Sequence, residues 1–274
     1  MPVLSRRELL SILSGGLVAG WSLSCKPSSG NDPIPVPEPS FRFLVASDGH
    51  LGEANTPSDQ YFSDLISAVK TEHARSALQF VVVNGDLVHG DKPEQLPKAK
   101  AYLDTLPVPY YVTRGNHDRV TNDVWKSLWG YDTNHVVERT EATLILLDTS
   151  DQWGNYLCGD TVWLKKQVAA ARAGVPVFLF MHIPYLRDLT GTTPCQDVQT
   201  VIADYPTIRA VFHGHDHTLD LGLMAGKTAL LFDAHFGSSW GTPYRGYRVV
   251  EYKKEAYTYQ YDFVNQKKVN EMTF

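Results

Sequence analysis

From Phe41 onward the chain alternates short apolar, β-branched runs with amphipathic stretches, and this alternation restricts it to a layered α/β fold. The strand candidates are Phe41–Ser47, Leu78–Asn84, Pro109–Thr113, Thr143–Asp148, Val175–Met181 and Ile208–His213. Helical spacing marks Ser58–His73, Glu94–Thr105, Asn122–Trp129 and Asp160–Ala173. Strand runs that are apolar throughout belong in a sheet covered on both faces. Further on, Ala229–Ala234, Tyr247–Tyr252 and Tyr257–Phe263 follow with little helix between them, and Lys253–Glu255 reads as a hairpin turn. A second, more antiparallel sheet is expected there. No linker interrupts residues 41–274, which read as one domain.

The conspicuous polar residues share one address, the carboxyl end of a strand run. They are Asp48-Gly49-His50, Gly85-Asp86, Gly115-Asn116-His117-Asp118, His182 and Gly214-His215-Asp216-His217. Open α/β sheets bind ligands at that end. In an extended segment residues i and i+2 point the same way, so Asp48 and His50 are expected to grip one ion. His215 and His217 would do likewise or reach one ion each. Carboxylates, imidazoles and one amide oxygen, with no thiolate, suit Mn, Fe, Zn, Co or Ni. Seven donors (Asp48, His50, Asp86, Asn116, His182, His215 and His217) exceed what one tetrahedral ion takes. One shared carboxylate would make two four-ligand ions about 3.5 Å apart, an arrangement suited to phosphoryl displacement. Singly, each piece has an ordinary explanation: Asp48 as a cap, Asn116 in a tight turn, His182 as a core histidine. Their joint occurrence at five strand ends is what points to metal.

The order D-x-H, GD, GNHD, H, GHxH resembles that of the calcineurin-like metallophosphoesterases, and it spans Asp48 to His217. Leu146-Leu147-Asp148-Thr149, the helix start within Gly159–Val168 and the spacing around Pro107–Tyr111 are most similar to the class III cyclic-nucleotide phosphodiesterase branch. The resemblance implies an α/β fold, a two-sheet β-sandwich flanked by helices. It implies that Asp48, His50, Asp86 and His217 hold a first metal ion and Asp86, Asn116, His182 and His215 a second. His117 and Asp118 would be the non-ligand catalytic pair, with Asp118 orienting His117. His89 stands where purple acid phosphatases carry a tyrosine, which argues against an iron–tyrosinate site. Met181-His182-Ile183-Pro184 replaces the His-His-Pro-Pro common in the cyclic-nucleotide branch. His89, His213 and His235 have no motif role and read as structural or supporting; His73 reads as a solvated helix residue and His135 as a loop or strand-edge residue.

The first forty residues do not read as fold. Arg6-Arg7, a weakly hydrophobic run from Leu9 to Ser24, and small residues before Cys25 describe an export signal of twin-arginine type over residues 1–24. Ser22-Leu23-Ser24-Cys25 resembles a lipoprotein cleavage box, so Cys25 is a candidate for lipid attachment to a membrane. Residues 25–40 contain five prolines and read as an extended tether. Cys158 and Cys195, the other cysteines, would pair in an oxidising compartment if their Cα atoms lie within about 7 Å.

Two motif matches are rejected. Gly237-Ser238-Ser239-Trp240-Gly241 spells a serine-hydrolase elbow, but neither a following helix nor a downstream histidine accompanies it. Gly222–Thr228 is one residue short of a P-loop. The formal net charge is −5 without a basic run, so no nucleic-acid surface is expected. The reading that results is an exported hydrolase of a small-molecule phosphate ester, diester rather than monoester, acting through hydroxide held between two metal ions. The alternative is a non-catalytic exported metal-binding or docking module. An intact His117-Asp118 pair favours the enzyme, since a binding module has no need of a non-ligand acid.

Overall fold

The computed structural model describes residues 41–186, 195–253 and 255–274. The signal at 1–24 and the tether at 25–40, with Cys25, lie outside the described residues, as does Lys254 of the expected hairpin turn.

Twelve strands among the described residues form two six-stranded sheets. The first half of the chain gives β1 (Phe41–Ala46), β2 (Phe80–Asn84), β3 (Tyr110–Thr113), β4 (His135–Glu138), β5 (Thr143–Leu146) and β6 (Val177–Phe180). The second gives β7 (Ile208–His213), β8 (Leu221–Ala225), β9 (Thr228–Phe232), β10 (Gly246–Tyr252), β11 (Ala256–Asp262) and β12 (Lys267–Thr273). The helices are α1 (Ser58–Arg75), α2 (Leu96–Leu103), α3 (Asn122–Trp129), α4 (Thr161–Ala170) and α5 (Gln196–Asp204). Local chemistry sets their ends. Thr121 Oγ1 accepts the Val124 N–H at the start of α3, and Gly130 closes it in a left-handed conformation with φ 85°. Asp160 likewise accepts the Trp163 N–H to start α4.

One sheet runs β12-β11-β10-β1-β2-β3 and the other β4-β5-β6-β7-β9-β8. This corrects the expectation of a separate antiparallel C-terminal sheet. The C-terminal hairpin strands do pair antiparallel, but β10 also pairs antiparallel with β1, so they extend the N-terminal sheet. In the other sheet β5, β6, β7 and β9 are parallel, with antiparallel strands at both edges.

Strand alternation divides the core. Phe43, Val45, Phe80 and Val82 face the second sheet and meet Phe178, Phe180 and Phe212. Leu44, Ala46, Val81 and Val83 face the other way and are covered by Phe62, Leu65 and Val69 of α1 and Leu96 and Leu103 of α2. Phe43 and Phe80 stack with centroids 4.7 Å apart, and Phe180 and Phe212 do the same. Each buried phenylalanine contributes roughly 1.5–3 kcal/mol, so the two packed sheets form a rigid platform. Their parallel strands send β1, β2, β3, β6 and β7 to one rim.

Candidate metal centre

The loops leaving those strands carry Asp48 and His50 after β1, Asp86 after β2, Asn116 and His117 after β3, His182 after β6, and His215 and His217 after β7. Asp48, His50, Asp86 and His215 have left-handed backbones, with φ of 59°, 45°, 51° and 69°. Such residues cost on the order of 1–3 kcal/mol each and cluster at functional sites. This corrects the extended-segment argument. Asp48 and His50 do converge, but through a left-handed backbone at each of the two residues rather than strand alternation. Gly115 belongs to the same geometry, since a Cβ there would lie 2.2 Å from both the backbone nitrogen and Oδ1 of Asp86.

Among the expected ligands two groups of donors result, and a third cluster, His50, His89 and His117, shares His50 with one of them. Asp48, His50 and His217 form one, and Asp86, His182 and His215 the other; within each group the donor atoms lie within 4.8 Å of one another. His215 and His217 therefore go to different groups. His217 Nε2 is 3.1 Å from Asp48 Oδ1 and 3.1 Å from His50 Nε2. Asp86 Oδ2 lies between the groups, 3.6 Å from His50 Nε2 and 3.2 Å from His182 Nε2. Among the described residues, nothing donates a hydrogen bond to the buried Oδ1 of Asn116.

The other side of each imidazole shows what the convergent atoms are for. His182 Nδ1–H donates to the Asn84 carbonyl at 2.8 Å, which turns the Nε2 lone pair toward Asp86. Ser238 Oγ donates its proton to the Trp240 carbonyl, so His217 Nδ1–H donates to Ser238 Oγ at 2.7 Å. That leaves the His217 Nε2 lone pair facing a carboxylate and another imidazole. Lone pairs and carboxylate oxygens meeting in a buried space need a cation or protons between them. The donor set therefore fits divalent metal ions.

The ionisation behaviour agrees. Burial opposes charge on Asp48 and Asp86, yet His217 and His182 beside Asp48, and His182 beside Asp86, hold both carboxyls below their ordinary range. Burial also works against the His182 imidazolium, but Asp86 and Asp48 carry its pKa up to about 10. His215 goes the other way, to about 4, through burial and the neighbouring His182.

His117 and Asp118 separate. The Gly90 N–H donates to His117 Nδ1 at 3.0 Å. Asp118 Oδ1 accepts the N–H groups of Leu87 and Val88 at 2.8 and 3.2 Å, and Oδ2 accepts that of Gly115 at 2.7 Å. The expectation that Asp118 orients His117 is corrected. Its carboxylate ties the loop carrying Asp86 to the loop carrying Asn116, because the turn at Gly115 folds it back onto backbone donors. Burial and the Asp86 charge raise its pKa to about 7.

Several contributing residues carry no motif. Asn84 braces both sheets: its side chain donates to the Phe212 carbonyl at 3.1 Å and accepts from Thr113 Oγ1 at 2.8 Å, while its carbonyl holds His182. A polar residue closing the Val81-Val82-Val83 run was the available signal. The Gly237–Gly241 loop, rejected as a hydrolase elbow, covers the site instead. Glu53 holds Ser239, Ser238 holds His217, and the Trp240 ring stacks on His217 at 4.5 Å. His235 stacks on His217 at 5.3 Å and His89 Nδ1 lies 3.4 Å from His50 Nδ1, as supporting residues would. Among the described residues, neither ring nitrogen of buried His213 has a partner at good hydrogen-bond geometry. His135 lies on the edge strand β4 as expected. His73 is not simply solvated, because its Nδ1 accepts the Leu78 N–H at 3.1 Å. Cys158 and Cys195 are joined by a disulfide, with Cα atoms 5.2 Å apart.

Comparison with known proteins agrees with this geometry. The calcineurin-like phosphoesterase family model matches residues 41–219. A 3',5'-cyclic-nucleotide phosphodiesterase from Nostoc is 25% identical over 195 residues, covering 68% of this chain and 72% of the relative. A glycerophosphodiester phosphodiesterase from Enterobacter lignolyticus is 27% identical over 158 residues, covering 52% of this chain and 56% of the relative. Among solved structures, a dimetal phosphatase from Danio rerio shares the fold with a TM-score of 0.67 at 15% identity, over 86% of this chain and 99% of that one. The match to residues 41–219, together with the His/Asp groups that fit divalent metal, shows that the chain belongs to the calcineurin-like phosphoesterases and is a metal-dependent hydrolase.

Proposed function

We propose that the chain is an exported phosphodiesterase with a two-metal centre. Asp48, His50, Asp86 and His217 would hold one ion, and Asp86, Asn116, His182 and His215 the other. The observation that carries this reading is the position of Asp86 Oδ2, within 3.6 Å of one imidazole from each group. Bound ions would supply Lewis acidity toward the phosphoryl oxygens and lower the pKa of water. The remaining chemistry belongs to the chain. Asn84 and Ser238 fix the tautomers of His182 and His217. His117, with Nδ1 occupied by the Gly90 N–H, carries its proton on Nε2, from which it can donate to an ester oxygen.

Preference for diesters rests on the relatives, one named as a cyclic-nucleotide phosphodiesterase and two as glycerophosphodiester phosphodiesterases. The test is turnover of bis(p-nitrophenyl) phosphate against p-nitrophenyl phosphate with added Mn²⁺. Faster, chelator-sensitive diester cleavage supports the proposal; no turnover, or a monoester preference, overturns it.

Export rests on the sequence of residues 1–40: the paired arginines, the short apolar run and the proline-rich segment before the domain at 41–274. Lipid at Cys25 would make the wild type partition into detergent and Cys25→Ala remain aqueous. Equal partitioning of both would remove the anchor.

A further inference from the structure

Arg119 follows the GNHD segment directly and is the one residue of its loop with a long cationic side chain facing outward. Its backbone is left-handed, with φ 23°. Its side chain is held between two glycines. A Cβ at Gly90 would lie 3.2 Å from Arg119 Cζ and 2.8 Å from His117 Nδ1. A Cβ at Gly154 would lie 2.9 Å from Arg119 Nε and 2.4 Å from the Asn116 carbonyl oxygen. A side chain at either position would crowd the guanidinium, which runs between the loops that border the metal centre. Among the described residues its hydrogen bond is from Nε to the Asn116 carbonyl at 3.4 Å, and no carboxylate pairs with it. Other arginines near the site are committed: Arg114 to Asp148, and Arg248 to Asp233 and Asp220.

We infer that Arg119 is a specificity-determining residue that binds a second oxyanion, a carboxylate or phosphate, on the alcohol part of the substrate. Gly90 and the His117 ring lie between the guanidinium and the donor groups. Arg119 is thus one layer out from the phosphoryl site, beyond the Nδ1 edge of His117, where an alcohol part long enough to pass that ring would reach it. A planar guanidinium with free N–H groups matches an oxyanion in bidentate fashion. A backbone strained into the left-handed region and a side chain slotted between glycines pre-position it, which lowers the ordering cost of binding. The inference rests on the phosphoesterase reading of the site.

The test uses the metal-loaded full chain and three ligands whose carbon–phosphorus bonds are not esters: phenylphosphonate, 3-carboxyphenylphosphonate and 1,3-benzenediphosphonate. Calorimetric Kd values are compared for wild type, Arg119→Gln and Arg119→Lys. A pair of charge-assisted hydrogen bonds predicts that wild type binds at least one doubly anionic ligand about 10- to 100-fold more tightly than phenylphosphonate. Arg119→Gln should bring that ratio near one, and Arg119→Lys should keep part of it. Which second group gains more identifies carboxylate or phosphate. Equal affinities in wild type, or a ratio that survives Arg119→Gln, would overturn the inference while leaving the phosphoesterase reading intact. Failure of all three ligands to bind the metal-loaded protein would overturn both.

Discussion

The Gly90 N–H donates to Nδ1 of His117 at 3.0 Å, and this one bond decides how His117 can act. With Nδ1 an acceptor, the neutral ring keeps its proton on Nε2. Burial, against the attraction of Asp86, brings its pKa down to about 4, so His117 is neutral at working pH. A neutral donor assists most when the leaving oxygen is basic. His117→Ala should retain its metals and slow alkyl phosphoesters by about 10²–10⁴-fold, with a smaller effect on nitrophenyl esters. Metal loss in this variant, measured by elemental analysis, would make His117 a ligand.

Asp118 should matter for loop integrity before chemistry. Its carboxylate accepts three backbone N–H groups. Asp118→Ala leaves these donors buried and should cost on the order of 2–4 kcal/mol in denaturant unfolding of the metal-free protein. A variant as stable as wild type but slow in turnover would return Asp118 to an orienting role.

The Cys158–Cys195 disulfide closes a 37-residue separation between the loop bearing Tyr156 and the start of α5. Tyr156 packs edge-on against His215, with centroids 4.9 Å apart. Cys158→Ser with Cys195→Ser should lower unfolding stability by roughly 3–4 kcal/mol on the chain-entropy account. Unchanged unfolding under reducing and oxidising conditions would show that the bridge adds no constraint.

Metal uptake should displace a proton from His182. In the metal-free site its pKa is raised to about 10, so the ring is charged at neutral pH. A ligand imidazole must be neutral. Below pH 10, affinity for the ion that His182 binds should therefore rise about tenfold per pH unit from this group. Calorimetry in buffers of different ionisation enthalpy should find about one proton released at pH 7 from His182. No proton release would contradict the assignment of His182 as a ligand.

Much of this was legible in the sequence, for identifiable reasons. β1, β2, β5, β6 and β7 are buried on both faces, so their apolar runs stand out. β12 was missed because it is a largely exposed edge strand, KKVNEMT, with no apolar face to see. β8 was missed because LGLMA lacks β-branched residues and carries Gly222, against which the Met272 side chain packs. α5 escaped because its core contribution is only Val198, Val201 and Ile202. At the site, ligand-type side chains at strand ends were visible. The braces were not: Asn84, Ser238 and Glu53 are ordinary polar residues whose partners lie far along the chain. Asp118 misled because adjacency to His117 in sequence says nothing of where a carboxylate turns after a tight bend.

If Asp86 is shared by two ions as proposed, metal content and turnover of Asp86→Asn must fall together. Its Oδ2 is the oxygen near both His50 and His182. Replacing the carboxylate by an amide should leave one ion per chain or fewer, with phosphoesterase activity lost. Two ions per chain with full activity would contradict the shared-carboxylate account.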